Sequence, residues 1–248
     1  MSAEIITISV QRGGTGKTTT AAALAQAAAY CGHRVLAIDL DPQGNLSYMM
    51  HADTSRAGAF HFLNGAPAAE VIQRTDQGAD VIAASWNLST ITTGRGTARR
   101  LQRALEPIKE SYDLINIDSP PTMGELQYNA LQAATGLVIP LGADIFSLQS
   151  LYQITDTARQ IQASNPALSI SGIIFTQYDG RSTIARQMRD AITEQAAKMG
   201  VPCLATIRAA VAVKEAAALQ KSLFMYAPKS KPAADYMELY KTLTKRED

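Results

Sequence analysis

Ile5-Ile6-Thr7-Ile8-Ser9-Val10 runs straight into Gln11-Arg12-Gly13-Gly14-Thr15-Gly16-Lys17-Thr18-Thr19. The alanine-rich stretch from Thr18 to Cys31 follows, with Leu24 and Ala27-Ala28 on one face. A short apolar β-type run, a glycine loop closed by Lys and Thr, and then a helix make up the order a phosphate-binding loop requires. The glycines let the backbone curl until successive N–H groups point at phosphate oxygens. The helix that starts near Lys17 adds the positive end of its dipole. Lys17 reaches the β- and γ-phosphates as a point charge, and the Thr18 hydroxyl is a Mg²⁺ ligand. Gly13, Gly14, Thr15, Gly16, Lys17, Thr18 and Thr19 are therefore the expected nucleotide cradle.

Outward from the loop, short apolar runs alternate with helical stretches. Strands are expected at Arg34 to Asp39, Asp80 to Ala84, Asp113 to Asp118, Gly136 to Leu141, Ser169 to Thr176 and Cys203 to Ile207. Helices are expected at Thr97 to Glu110, Leu148 to Ser164, Thr183 to Met199 and Asp235 to Leu243. Alternation of this kind predicts an α/β fold with a mostly parallel, twisted sheet and helices on both faces. The strands are apolar on successive residues, which fits burial on both sides. Residues 51–78 show no regular pattern. With no linker, repeat or low-complexity tract, residues 1–248 read as a single domain.

Two of the strands end in carboxylates. Asp39-Leu40-Asp41-Pro42-Gln43-Gly44-Asn45 follows one, and Asp118-Ser119-Pro120-Pro121 ends another. Ligands of open α/β sheets collect at the carboxyl ends of the strands. Carboxylates there hold Mg²⁺, directly or through water, and position an attacking water.

Composition narrows the function classes. Lys plus Arg is 23 and Asp plus Glu is 22, for a formal charge of +1, so any nucleic-acid contact must come from a local patch. With 46% apolar and 18% charged residues the chain reads as globular, not disordered. Cys31 and Cys203 supply neither a disulfide framework nor a four-thiolate metal site, which points to a reducing cytoplasm. His33, His51 and His61 have no metal-ligand spacing. The start of the chain has no basic segment of a signal peptide, and no run approaches the ~18 apolar residues of a membrane helix. Arg95, Arg99, Arg100 and Arg103 form a basic cluster that reads first as a solvated helix face, with a DNA or partner surface as the alternative.

Arg12 stands just before the glycine pair, where an ordinary phosphate loop needs no charge. With the loop, the Asp39 to Asn45 stretch and the Asp118 to Pro121 stretch, the chain resembles the ParA/MinD family of deviant Walker A P-loop ATPases, in its short, Soj-like form. The resemblance runs along nearly the whole chain and is weakest from about residue 51 to 100. It implies a single-domain P-loop NTPase that binds ATP with Mg²⁺. Arg12 occupies the place of the family's signature lysine, which reaches a partner subunit's nucleotide. Arginine keeps the charge and bridges two oxygens with its planar fork, so Arg12→Lys is expected to preserve most of its function. The implied catalytic residues are Lys17, Asp41 and Arg12, with Thr18, Asp118 and Asp41 around the metal. Asp39 supports the first carboxylate loop. Adenine is expected against the loops after the last two strands, near Thr176-Gln177 and Ile207-Arg208-Ala209.

The same resemblance implies an ATP-dependent homodimer that partitions plasmid, chromosome or mobile-element DNA. Non-specific DNA would serve as the track, bound weakly to moderately through Arg186, Arg189, Arg208, Lys214 and Lys221. A DNA-binding partner protein would stimulate hydrolysis. Leu239 to Asp248 lacks the bulky apolar residues of a membrane-lying helix, so no membrane cycle is expected, and the location is cytoplasmic and nucleoid-associated. Two alternatives remain: positioning of a protein cargo by the same cycle, and a nucleotide-binding scaffold that does not hydrolyse.

Overall fold

The computed structural model describes residues 3–92, 94 and 97–244. Its strands are β1 (Glu4–Ile8), β2 (Val35–Asp39), β3 (Ile72–Arg74), β4 (Asp80–Ile82), β5 (Leu114–Asp118), β6 (Gly136–Leu141), β7 (Ser169–Tyr178) and β8 (Cys203–Arg208). The helices are α1 (Lys17–Tyr30), α2 (Asn45–Met49), α3 (Ala59–Leu63), α4 (Ala68–Val71), α5 (Arg100–Leu105), α6 (Glu125–Ala133), α7 (Ile145–Gln162), α8 (Thr183–Lys198), α9 (Val211–Ala218), α10 (Leu223–Tyr226) and α11 (Lys231–Thr244). One eight-stranded sheet runs in the order β3-β4-β2-β5-β1-β6-β7-β8. All neighbours are parallel except β3 and β4. The connection from β1 leads to β2 on one side, whereas β6 extends the sheet on the other. The chain therefore reverses direction around β1, the kind of switch point at which such sheets open a ligand crevice.

The expected continuous apolar strands are buried on both faces. On one side Ile6 and Ile8 pack with Leu24 of α1 and with Tyr236, Leu239 and Tyr240 of α11. Ile38 and Ile117 pack with Phe62 of α3 and Leu101 of α5. Ile139 and Phe175 meet Leu151 and Ile154 of α7 and Ile192 of α8. Alanines at most interior positions of α1 let that helix lie close to the sheet and bring its N-terminus against the strand ends.

The structure adds α6, α9 and α10 where the sequence reading placed no helix, starts α7 at Ile145 ahead of the expected Leu148, and differs in three further parts. The helix expected from Thr97 to Glu110 is broken into a 3₁₀ turn at Thr97–Arg99, the short α5, and a second 3₁₀ turn at Lys109–Ser111. Pro107 accounts for the end of α5: it has no N–H to donate back to the preceding turn, although Glu106 before it still has α geometry. Arg99 and Arg103 stay close, with Arg103 Nε donating to the Arg99 carbonyl, while Arg95 lies outside the described residues. The irregular 51–78 segment holds α3, α4 and β3, and β3 turns antiparallel to cover the β4 edge. The last helix starts at Lys231, ahead of the expected Asp235, because Pro232 is tolerated in a first helical turn.

Gly58 is one place where the fold leaves no room. A Cβ there would sit 2.1 Å from the Ala83 carbonyl oxygen, just beyond β4. Gly58→Ala is expected to lower stability by about 1–3 kcal/mol, the usual cost of overpacking. The shift of the urea midpoint measures it. An unchanged midpoint would mean that the Ala83 backbone moves aside freely.

Candidate nucleotide site

The phosphate loop joins β1 to α1. Gly14 (φ 74°) and Gly16 (φ 78°) take left-handed conformations that side chains rarely adopt. A Cβ at Gly13 or Gly14 would meet nothing within 4 Å, so the mouth of the loop is open where a phosphate would lie. A Cβ at Gly16 would press Thr176 at 3.3 Å. The end of β7 clamps the loop from that side. Thr176 Oγ1 donates to the Thr15 carbonyl (2.7 Å), and Gln177 Nε2 donates to the Gly14 carbonyl (3.1 Å). Lys17 is buried and donates from Nζ to the Arg12 carbonyl at 2.6 Å. Burial lowers its pKa, and the Asp118 and Asp41 carboxylates oppose that fall.

Pairing of β2 with β5 sets Asp39 opposite Asp118, so two carboxylates end adjacent strands beside the loop. Both are fully buried. Asp39 accepts hydrogen bonds from Ser47 N (2.8 Å), Ser47 Oγ (2.7 Å) and Asp41 N (3.1 Å), and thereby shapes the turn that carries Asp41. Burial still pushes its pKa up to about 6. Asp118 is different. Neither of its oxygens receives a well-aligned hydrogen bond from a described residue. Burial, and then the Asp39 charge, push its pKa well above the usual range, against the Thr18 hydroxyl and the Lys17 ammonium. A buried carboxylate in this state is costly unless a cation joins it. The donor set therefore fits Mg²⁺, with Thr18 and Asp118 as the residues to hold it. Asp41 is mostly buried and accepts from Gln43 N (3.0 Å).

A cavity of about 560 Å³ lies over the loop and is bordered by Asp41, Gln43, Tyr48 and Pro121. A second lobe of about 410 Å³ adjoins it through Gly16, Thr19 and Gln177, and is walled by Ile207, Ala209, Val213 and Tyr236. The polar loop cavity suits phosphates, and the apolar lobe suits a nucleobase. Gln177 and Arg208, two of the expected adenine neighbours, both line the lobe. Part of their donor capacity is already engaged, however. Gln177 holds Gly14, and Arg208 closes its fork on Asp235, with Nε donating to Oδ2 at 2.9 Å and Nη2 donating to Oδ1.

Arg12 turns towards α7. Its Nη1 donates to Asp144 Oδ1 (2.6 Å) and Ser147 Oγ (3.2 Å), and its guanidinium carbon lies 5.5 Å from the centre of the Phe146 ring. Among the residues expected to meet DNA, Arg189 is paired with Asp190. Arg186 donates to the Gly180 carbonyl and to Thr183 Oγ1, while Lys214 and Lys221 are exposed. Sequence reading placed Thr176 beside the adenine and not as a clamp on the loop, a contact that leaves no local signal. It also missed the Asp144 group, although Asp before an apolar helix start is a readable N-cap.

Among the described residues no helix is long and apolar enough to cross a membrane. Residues 3–170 match the AAA domain family. The chain is 36% identical over 237 residues to the chromosome-partitioning ATPase Soj of Thermus thermophilus, covering 94% of this chain and 92% of that protein. It is 34% identical over 251 residues to the sporulation initiation inhibitor protein Soj of Bacillus subtilis, covering 96% and 97%. Cobyrinic acid a,c-diamide synthase of Mycobacterium smegmatis, solved with an ATP analogue and magnesium, superposes with a TM-score of 0.80 at 29% identity, over 95% of this chain and 92% of that one. A Cyanothece McdA variant in complex with ATP shares the fold, with a TM-score of 0.87 at 23% identity over 100% and 98% of the two chains. Likeness to the Soj proteins over nearly the whole of both chains, on top of the AAA-domain match, means that the chain belongs to the ParA/Soj family of deviant Walker A P-loop ATPases.

Proposed function

We propose that this protein is an ATP-hydrolysing dimeric switch that partitions plasmid, chromosome or mobile-element DNA, with non-specific DNA as its track and a DNA-binding partner protein as its activator. The observation that carries the reading is Asp118: a buried carboxylate without an aligned donor, beside Lys17 and Thr18 and under an open glycine cradle. Backbone N–H groups of the loop and the Lys17 ammonium bind the phosphates. Mg²⁺, when bound, supplies charge neutralisation at the β- and γ-oxygens. Asp41 orients the attacking water, and Asp39 fixes the turn that aims it. Loss of the γ-phosphate removes what the Asp41 and Asp118 loops hold, so the dimer relaxes after hydrolysis.

The charges available for DNA are few. Arg208 and Arg189 are paired with carboxylates, which leaves Arg186, Lys214 and Lys221 as the contacts of each subunit. Each phosphate neutralised contributes roughly −0.9 to the salt slope on duplex DNA. Binding is therefore expected to be modest and lost at moderate salt. The test pairs ATP turnover with an electrophoretic shift of non-specific duplex, run with ATP, with ADP and without nucleotide at low salt. Slow turnover and a shift with ATP alone are expected. Turnover without any shift would replace DNA by a protein cargo track. No turnover, with or without DNA, would make the protein a scaffold.

A further inference from the structure

The chain carries arginine where the family's signature residue is lysine, and the surroundings of Arg12 give that exchange a physical reason. The loop presents Arg12 to the first turn of α7. Asp144 caps that helix, with Oδ1 accepting from Phe146 N (2.9 Å) and Ser147 N (3.2 Å). The same oxygen accepts from Arg12 Nη1 at 2.6 Å. Ser147 Oγ accepts from Nη1 as well, and the Phe146 ring lies against the guanidinium. Gln11, the preceding residue, is tied to the same helix, its Nε2 donating to Thr157 Oγ1 at 3.2 Å.

Among the described residues, the polar contacts of the guanidinium all pass through Nη1. Among the described residues, Nε and Nη2 donate to nothing, and the side chain keeps 30% of its exposure. An arginine in this setting is held by one edge and presents the other. A lysine has one ammonium and no second edge. Its three donors share one nitrogen, so beside Asp144 it cannot reach two phosphate oxygens with the spread of a fork. The Asp144 carboxyl is firmly ionised for this purpose: burial works against it, but Arg12 and the two cap N–H groups hold it below the usual carboxylate range.

We propose that Asp144 is the positioning residue for Arg12: it anchors Nη1 on α7 so that the free Nε–Nη2 edge faces out to take two phosphate oxygens of a partner subunit's nucleotide. The inference rests on the dimeric switch proposed above and specifies how its signature position works. It also reverses the expectation from the sequence that Arg12→Lys is mild.

The test measures the ATP concentration for half-maximal dimerisation, by analytical ultracentrifugation with Mg²⁺, for the wild-type chain, Arg12→Lys, Asp144→Asn and the double variant. Asparagine keeps the cap oxygen, so α7 stays intact. Affinity of each monomer for Mg·ADP is the folding control and should stay within about twofold. Arg12→Lys is expected to raise the half-maximal ATP concentration about tenfold. Asp144→Asn alone should raise it about threefold, because the fork loses its charged anchor. The double variant should recover most of the Arg12→Lys loss, since the lysine no longer faces a carboxylate. Wild-type behaviour of Arg12→Lys, a double variant no better than Arg12→Lys, or tighter dimerisation in Asp144→Asn would each overturn the proposal. A wild-type chain that stays monomeric at saturating ATP would instead remove the dimeric switch itself, and the inference with it.

Discussion

Lys17→Ala is expected to weaken binding of Mg·ATP by about a hundredfold or more. Lys17 is the buried cation at the foot of the glycine loop, between the Arg12 carbonyl and the Asp118 and Asp41 charges. Truncating one partner of a buried charged contact costs about 2–5 kcal/mol, and every 1.4 kcal/mol is about tenfold in affinity. A second effect adds to the first. Without the ammonium, Asp118 and Asp41 face an incoming triphosphate with no fixed positive charge between them. Titration calorimetry with Mg·ATP measures the loss, and far-UV circular dichroism shows that the fold is retained. Normal affinity in a folded Lys17→Ala would sink the assignment of this loop as the phosphate site.

Asp41 should separate binding from turnover. Asp41→Ala is expected to keep ATP affinity within a few fold, to lower turnover by about 10²–10⁴, the usual range for a lost acid–base group, and to trap an ATP-bound dimer. The position supports this split. Asp41 borders the loop cavity along with the glycines, and among the described residues its carboxylate accepts from the backbone of its own turn, at Gln43 N. Asp39 makes the bonds that hold that turn in place. Asp41→Asn is the sharper variant, because it keeps an acceptor for Gln43 N and removes only the charge. Size-exclusion chromatography with ATP should show a persistent dimer in both. Turnover at the wild-type rate in Asp41→Asn would take the water-orienting role away from this residue.

The amino-acid order alone determined the phosphate loop, every strand except β3, and the two carboxylate turns. These depend on neighbours in the chain: glycines that permit φ near +75°, a Lys-Thr pair opening a helix, and apolar runs long enough to cross a sheet once. A parallel sheet followed from the alternation of the elements, because parallel strands need a crossover. Pro107 carried the signal that ends α5, though periodicity drew the helix through it. The tertiary structure decided the rest. Thr176 and Gln177 lie some 160 residues beyond the loop they clamp, at 2.7 and 3.1 Å, and reach it only because β7 stands two strands from β1. Arg208 was readable as a cation in a site, but Asp235 on α11 closes its fork. Asp39 and Asp118 end separate strands in the sequence, and only the β2–β5 register sets them side by side. Arg12 points at α7 for the same reason: its partner Asp144 is 132 residues away, and charge pairing over that distance is set by how the chain packs, not by local order.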